Sequence, residues 1–570
     1  MIHIDQSYDN FIKLATQSEI KNPETFLKLK KRICKELKIP LPTNADIRKD
    51  YEKMLTNKEI KKNINLEKAL FTKKIRTQSG VAVIAVLTKP YPCPGKCIYC
   101  PSEKEIPKSY LSNEPAVMRA ISAKFNPYNQ VQKRIEALEL NGHKTDKIEL
   151  IVMGGTFSYL PKAYQINFIA QCFKACNDYK SKKFSKKRNS LKKLSYEQKR
   201  NEKTKRRIIG LTLETRPDYI DIKELVNFRK LGCTRVEIGV QSIFNNVLKI
   251  NKRGHNVQKT IEATKLLKDF GFKINYHIMP GLLGSTLKKD FKMFQELFSN
   301  PDFQPDMLKI YPTVVIKESP LYRMWKNKKY KPLNEKEFTK FILRVKNEII
   351  PPYVRIARLI RDVPAESIQA GPKTSNLRQM IAKKSNCPCI RCREIRETYL
   401  KDDLPAMLHS LNILDNNNKS LKLSSGVQNK HSIAMQAGKI ILNRIGYSAS
   451  NGQEIFLEYV SKNKKKLFAL LRLRISNKTN PEVYKYFPVL KDSAIIREVH
   501  TYGKMTEINQ KDKISPQHIG LGKKLMLEAE KITKKEFKLD KIVVISGIGA
   551  QKYYRKLGYK LKDGYMIKKL

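Results

Sequence analysis

The sequence has no apolar run long enough to cross a membrane. Its longest, Val81 to Leu87, is a strand's length, against about 18 residues for a spanning helix. It opens Met1-Ile2-His3-Ile4-Asp5, without the basic segment and apolar core of a secretory leader. Acidic residues are scarce. There are 54 Asp+Glu against 113 Lys+Arg in 570 residues, a formal net charge of +59. A field of that sign and size suits a polyanion, either nucleic acid or an anionic membrane face. The same count also fits a lysine-rich surface that merely solvates the fold. Cysteines number ten and are clustered, which argues against a disulfide framework. Metal or cluster ligation in a reducing compartment is expected instead, with the cytoplasm as the location and no membrane as partner. Cys34, Cys172, Cys176 and Cys233 stand apart and read as small buried apolar residues. No internal repeat is visible.

At this length two or three domains are expected. Residues 1–70 read as a basic helical extension, with Phe11, Leu14, Phe26, Leu27 and Leu29 at near-helical spacing. From Gly80 the pattern changes. Strand-like runs fall at 81–87, 148–153, 208–213, 235–240, 273–279, 307–310 and 354–360, with amphipathic stretches such as Leu225–Leu231 and Thr260–Phe270 between them. That alternation predicts an α/β sheet or barrel over 71–370, whose chemistry gathers at the strands' C-terminal ends. Lys180–Arg207 interrupts the rhythm with fourteen basic and two acidic residues, and reads as a flexible basic insertion. It would either grip RNA backbone or simply be solvated. A cysteine-containing linker spans 371–430. A smaller α+β domain follows over 431–570, with strands near 454–460, 467–475, 495–502 and 541–546 and a helix near 520–537.

Cys93-Pro94-Gly95-Lys96-Cys97-Ile98-Tyr99-Cys100 places three thiolates in one loop just after the first strand. Fully protein-ligated clusters usually take four cysteines. Three leave one iron open for a small molecule to bind and react. The spacing resembles that of the radical-SAM superfamily, which implies a [4Fe-4S] cluster and S-adenosylmethionine; a zinc knuckle is the alternative. Met153-Gly154-Gly155-Thr156 follows a strand directly, so Gly154 and Gly155 let backbone N–H groups approach the cofactor's methionyl part. Glu214, Arg216, Glu237, Gln241 and His277 fall at further strand ends, where they would line a pocket or satisfy local backbone.

Gln517-His518-Ile519-Gly520-Leu521-Gly522 opens the helix of the smaller domain. Gln517, Gly520 and Gly522 give a chain that can approach a diphosphate at a helix N-terminus. With the preceding strand ending Arg497-Glu498-Val499-His500-Thr501-Tyr502, and with Tyr553-Tyr554-Arg555-Lys556 downstream, the order resembles a GNAT acetyltransferase. Tyr553 and Tyr554 are the catalytic candidates, the Tyr554 hydroxyl near the thioester sulfur. A tyrosine pair packing a C-terminal hairpin is the other reading.

A partial TIM-like radical-SAM (β/α) barrel followed by an α+β GNAT domain resembles the catalytic third subunit of Elongator and its archaeal and bacterial single-chain relatives. The strings Gly80–Val86, Asp146-Lys147, Met153–Phe157, Glu214–Tyr219, Glu237–Ser242, Lys309–Thr313 and Tyr553–Lys556 carry the resemblance, over about residues 70–570. It implies a tRNA-modifying acyltransferase that joins a carboxymethyl group, drawn from acetyl-CoA by SAM-derived radical chemistry, to C5 of the wobble uridine. It also implies acetyl-CoA contacts at Lys147, Glu498, Val499, His500, Thr501, Leu521, Gly522, Lys523 and Tyr554, with Lys147 and Lys309 as catalytic. Lys147 would reach across the domain junction and put the acetyl group beside the radical source. The partners implied are a tRNA anticodon stem-loop and accessory Elongator-like subunits or a second copy of the chain. Cys387, Cys389 and Cys392 resemble the zinc site of prokaryotic relatives, with His409 or His431 as fourth ligand; a metal-free set is the alternative. Two rival functions stand beside this one: a protein lysine acetyltransferase with a structural radical-SAM domain, and a non-catalytic tRNA-binding scaffold.

Overall fold

The computed structural model describes residues 8–72, 77, 79–181, 190–395, 440–477, 479–503 and 520–570. Helices Asp9–Gln17, Pro23–Glu36, Asn44–Thr56 and Ile64–Leu70 form the N-terminal extension. Polar caps start them. Asn22 and Thr25 form a reciprocal capping box, as do Thr43 and Asp46, and the Asn63 side chain accepts from the Leu66 N–H. Their apolar faces close a small core of their own around Phe11, Phe26, Ile33, Ile47, Tyr51 and Leu66.

The next unit is a curled half-barrel of parallel strands. These are β1 (Ala82–Leu87), β2 (Lys147–Met153), β3 (Arg207–Thr215), β4 (Arg235–Gln241), β5 (Lys273–Ile278), β6 (Met307–Ile310) and, after the short β7 (Val315–Ile316), β8 (Arg355–Arg358). The order is β1-β2-β3-β4-β5-β6-β8, and β7 pairs with β9 (Ile368–Ala370) in a separate ribbon. Helices cover the outer face, where Ile148, Leu150, Val152, Leu211, Leu213, Val236, Ile238, Ile274 and Ile278 are buried. The register sets the opposite residues side by side on the inner face: Glu149 by Gly210, Thr212 by Arg235, Glu214 by Glu237, Glu237 by Asn275, and His277 by Lys309. Period 2 thus separates an apolar shell from a polar lumen.

The Lys180–Arg207 stretch differs from the flexible insertion expected. Ser190–Asn201 is a helix whose Leu194, Glu197 and Asn201 are buried. The Asn177 amide donates to Glu197 Oε2 (2.8 Å) and Asn201 donates to Asn177 Oδ1 (2.8 Å). Counting lysines hid these few inward residues, which suffice to dock one face.

The C-terminal sheet is β10 (Ile440–Ser448), β11 (Gly452–Ser461), β12 (Leu467–Ser476), β13 (Ala494–Thr501), β14 (Lys541–Val544), β15 (Lys560–Lys562) and β16 (Tyr565–Lys569), in the order β10-β11-β12-β13-β14-β16-β15. Only the β13–β14 pair is parallel. The β15–β16 hairpin turns on Asp563 and Gly564, both at positive φ (49° and 76°), as an Asp-Gly primed turn requires.

This sheet docks on the N-terminal ends of the barrel strands. An added Cβ on Gly547 would stand 2.0 Å from the Ile209 carbonyl before the middle of β3, and one on Gly271 2.8 Å from Ile495. Arg497 reaches Asp306 (3.0 Å) and Glu454 (2.9 Å), Arg474 reaches Asp269 (3.1 Å), and Arg472 reaches Glu498 (2.9 Å). All three arginines are fully buried. One continuous apolar cluster runs through both halves beside these ions. No helix among the described residues is long and apolar enough to cross a membrane.

Candidate active site

The 93–100 loop leaves β1 and lies across the C-terminal mouth of the barrel. It is held by the Ile98 N–H on the Asn251 carbonyl (3.2 Å) and by the Leu321 N–H on the Ile98 carbonyl (2.8 Å). Cys93 is exposed, Cys100 partly so, and Cys97 is buried. Two guanidiniums converge on Cys97 Sγ: Arg253 at 3.6 Å and Arg216 at 4.0 Å. Glycines make room for them. A Cβ on Gly95 would lie 2.4 Å from Arg216, and one on Gly239 2.6 Å from Arg253. Donation from the Cys100 thiol, with Arg253, overcomes burial and draws the Cys97 thiol down to about 4. The surroundings therefore favour a ligating thiolate.

The two cysteine sets differ in spread. Among the described residues, only Cys387, Cys389 and Cys392 bring three ligand atoms within 4.8 Å of one another. Thiolates on one zinc ion are about 3.8 Å apart, from the Zn–S length and tetrahedral geometry. The compact set thus suits a single ion, whereas in the 93–100 set Cys97 and Cys100 are within hydrogen-bond reach but the three sulfurs do not all meet within that distance. Hydrogen bonds from Cys387 and Cys392 hold the Cys389 thiol well below its ordinary range despite burial. His409, His431 and Gln517 lie outside the described residues.

Next to the cluster loop, Gly154 and Gly155 adopt φ of +135° and +89°, and a Cβ on Gly154 would stand 2.0 Å from Thr88 Oγ1. Thr88 Oγ1 and Gln241 Oε1 are buried with no hydrogen-bond partner among the described residues. Gln241 also holds a positive φ of 67°. Unsatisfied polar atoms, a strained backbone and a bare glycine cradle together fit the polar methionyl part of S-adenosylmethionine.

Below that mouth the lumen carries a relay of charges. Tyr110 donates to Glu214 (2.9 Å), His277 Nδ1 lies 3.6 Å from Glu214, and His277 Nε2 lies 2.9 Å from Glu237. Lys309 pairs with Glu237, and Arg235 bridges past Gly210 to Glu149. Burial would raise the Glu237 carboxyl, yet Lys309 and His277 hold it well below the usual carboxylate range.

The other end of the lumen belongs to the second domain. The Lys273 ammonium meets Glu498 (2.9 Å), and His500 Nε2 meets the Ser79 carbonyl (2.8 Å). β13 pairs with β14 only over Ala494–Ile496, so beyond Arg497 that edge carries no ladder partner among the described residues. Just there Glu498, Val499, His500 and Thr501 become partly exposed. The helix Leu521–Lys535 starts alongside, with Gly520 at φ +79° and no side-chain cap. Its first turn carries no acid, and Lys523 is exposed on it. Leu521 and Gly522 are buried, and a Cβ on Gly522 would lie 3.1 Å from the Tyr553 hydroxyl and 3.6 Å from Thr501. Tyr554 is buried near Glu498, whose charge adds to burial in raising its hydroxyl. The structure brings the Tyr553 hydroxyl over the helix start, with the Tyr554 ring 5.2 Å from the Tyr553 ring.

Lys147 lies at the end of the barrel where the second sheet docks. It opens β2, whereas Gly154 follows the other end of that strand, roughly 20 Å away at about 3.3 Å per residue. Lys147 belongs to the same end as Glu498 and His500, and burial lowers its ammonium. The cysteine loop and the Glu498–Thr501 stretch thus lie at opposite ends of one barrel. Sequence reasoning passed over Arg253, Arg235, Glu149, Tyr110 and Lys273. Glu149 had a legible signal, since Lys147, Glu149 and Ile151 alternate with buried residues.

The chain is similar to known proteins over most of its length. Residues 91–297 match the radical SAM superfamily model and residues 305–386 the radical SAM C-terminal domain model. The tRNA uridine(34) acetyltransferase of Methanocaldococcus infernus is 45% identical over 87% of this chain and 87% of its own. Human Elongator complex protein 3 is 37% identical over 88% of this chain and 86% of its own. A solved structure of the archaeal Methanocaldococcus infernus Elp3 lacking residues 1–46 superposes with a TM-score of 0.66 at 41% identity, covering 86% of this chain and all (100%) of that one.

Proposed function

Since the chain belongs to the family of tRNA uridine(34) acetyltransferases and Elongator complex protein 3, we propose that it modifies the wobble uridine of tRNA with a group drawn from acetyl-CoA. The observation that carries this reading is a single polar lumen with a cluster loop at one mouth and an acetyl-CoA-shaped edge at the other. In its finer form the product is a carboxymethyl group at C5. The net change joins the acetyl methyl carbon to C5, with loss of one hydrogen from each and hydrolysis of the thioester.

Cys93, Cys97 and Cys100 would hold the cluster, and Gly154, Gly155, Thr88 and Gln241 would seat S-adenosylmethionine. Bound there, these groups supply one-electron, hydrogen-abstracting chemistry. The protein's own part is positioning. The edge of β13 from Glu498 to His500, which β14 does not reach, pairs with the pantetheine amides, as an added strand pairs with a sheet edge. The uncapped helix start at Gly520–Lys523 takes the diphosphate, and the Tyr553 hydroxyl stands beside it. Lys147 covers the same entrance. His277, flanked by Glu214 and Glu237, is placed to take up the proton that leaves C5 and hold it between two carboxylates. The domain contacts around that entrance limit the bulk water that would otherwise quench the reaction. The charge of +59 attracts the phosphates of the anticodon stem-loop.

Anaerobic reconstitution with iron, sulfide, S-adenosylmethionine, reductant, acetyl-CoA and tRNA transcript tests the reading. Nucleosides from the digested tRNA should include carboxymethyluridine, and Cys93→Ala should abolish it. Modification that survives Cys93→Ala would overturn the reading. Acetylated protein with unchanged tRNA would support the lysine acetyltransferase instead.

A further inference from the structure

The cluster mouth carries an aromatic ladder that the reaction above does not use. Tyr91 lies in the loop after β1. Tyr159 ends the 3-10 turn Phe157–Tyr159 after β2, and Tyr219 ends the 3-10 turn Pro217–Tyr219 after β3. Three successive β–α units thus each contribute one tyrosine at the same level. The rings meet edge to face, Tyr91 with Tyr159 at 6.0 Å between centroids and Tyr159 with Tyr219 at 5.6 Å. A bond between Ser158 Oγ and Thr215 Oγ1 (2.8 Å) ties the second and third units together.

The ladder is both exposed and anchored. Tyr91 and Tyr159 keep 39% and 41% of their surface open, an unusual expense for large aromatic residues with no occupant. At its inner end Tyr219 lies under the Arg216 guanidinium, 6.0 Å from the ring centroid. Asp218 (2.8 Å) and the Arg253 carbonyl (2.7 Å) fix that guanidinium, which also reaches Cys97 Sγ. The ladder therefore leads from solvent to the cluster loop. Tyr91 and Cys93 share the walls of one open cleft of about 340 Å³ with Ser102, Glu103 and Lys108. Exposed Lys96 and Lys89, the latter over the Tyr164 ring, flank Tyr91 in the chain, and Lys162 after Tyr159 pairs with Glu224.

Exposed ring faces beside exposed ammoniums are the chemistry that holds single-stranded nucleic acid, by base stacking and phosphate pairing. A protein-docking face would need a broader apolar rim than Pro90, Pro92 and Ile106 provide. We propose that Tyr91 and Tyr159 form a stacking platform for the unpaired anticodon nucleotides next to the wobble uridine, so that unstacking these neighbours turns the wobble base into the barrel mouth. Tyr91 and Tyr159 act as positioning residues, and Tyr219 with Arg216 aligns them to the cluster loop. The inference rests on the proposed tRNA substrate and adds where its loop is gripped.

The test uses the reconstituted full-length enzyme and an anticodon stem-loop RNA with 2-aminopurine directly 3′ of the wobble uridine. Stacking quenches that fluorophore. Wild type and the Tyr91→Phe/Tyr159→Phe variant should bind within about twofold of each other and both quench. Tyr91→Leu/Tyr159→Leu keeps apolar bulk without a ring, and should lose quenching and about 10-fold or more in affinity, as expected for one or two stacked bases. Its iron content and S-adenosylmethionine binding should remain at the wild-type level, which separates a lost platform from a damaged fold. Unchanged quenching and affinity in the Leu variant would overturn the platform while leaving the tRNA reading intact. Absence of stem-loop binding by wild type would overturn both. Loss of self-association in the Leu variant with RNA binding unchanged would assign the face to a second copy of the chain.

Discussion

Arg253 and Arg216 aim positive charge at one cysteine sulfur, and Gly95 and Gly239 exist at their positions because any Cβ would collide with those guanidiniums. Hydrogen bonds to cluster sulfurs stabilise the reduced, more negative state. Arg253→Met should therefore move the cluster's midpoint potential to more negative values at normal iron content, read by redox titration of the reduced-cluster EPR signal. An unmoved potential would mean that Arg253 only supports the Gly239 carbonyl. Deeper in the lumen, Glu237 is the common partner of His277, Lys309 and Asn275. Glu237→Gln leaves Lys309 as a buried ammonium facing a neutral amide. Modified nucleoside per 5′-deoxyadenosine formed should fall by 10-fold or more, on the order of a lost charge-assisted hydrogen bond. An unchanged ratio would remove Glu237 from the positioning machinery.

Elements decide what the residues can reach. Among the described residues β14 pairs with β13 only as far as Ile496, since it ends at Val544, and the 521–535 helix starts near Thr501. Gly522 lies where that helix, Thr501 and the Tyr553 hydroxyl meet. Gly522→Val should raise the KM for acetyl-CoA by an order of magnitude or more while leaving S-adenosylmethionine binding intact. A loss confined to kcat would move the acetyl-CoA site elsewhere. The reverse pattern is expected of Gly154→Ala, whose Cβ meets Thr88 and whose φ of +135° disfavours any L side chain. Several elements could be read from the pattern alone. The runs at 148–153, 235–240 and 307–310 lie within β2, β4 and β6, because strands buried on one face and polar on the other keep a clean period 2. β10 escaped notice: Asn443, Arg444 and Gly446 break its apolar run, and it pairs with a single neighbour. The β15–β16 hairpin was legible only as the alternative setting for Tyr553 and Tyr554, although its Asp-Gly dipeptide is a strong local signal.

Across the whole molecule, the halves are joined by ions more than by a linker. Asp306 is fully buried against Arg497 and Arg472, and the partly exposed Glu498 pairs with Lys273 and Arg472. Burial raises both carboxyls, but the cations prevail and hold them well below the usual range. Groups depressed in the folded state add stability that is present above their unfolded values near 4 and is lost as pH falls further. The domains should part below about pH 4, seen as an increase in scattering radius before full unfolding. Asp306→Asn leaves two arginines under-compensated and should cost about 3–5 kcal/mol, read as a lowered melting midpoint. Lys268 is the contrasting case. Burial draws its ammonium down to about 8 even beside Glu454, so Lys268→Met should be neutral or stabilising at pH 7.

Local order in the chain was enough to mark the cluster loop, and the helix start proposed for acetyl-CoA, in the sequence itself. Cys93, Cys97 and Cys100, the Gly154-Gly155 turn, and the Gly520–Gly522 helix start work through near neighbours, so their spacing in sequence already states their geometry. What sequence alone left open is the distance between them. Lys147 opens β2 at the end where the second sheet docks, while the cysteine loop covers the other end of the barrel. That docking depends on Arg472, Arg474 and Arg497 meeting carboxylates about 200 positions away in the chain in two cases, Asp269 and Asp306. Such pairings form only when two finished sheets meet, and no local pattern records them.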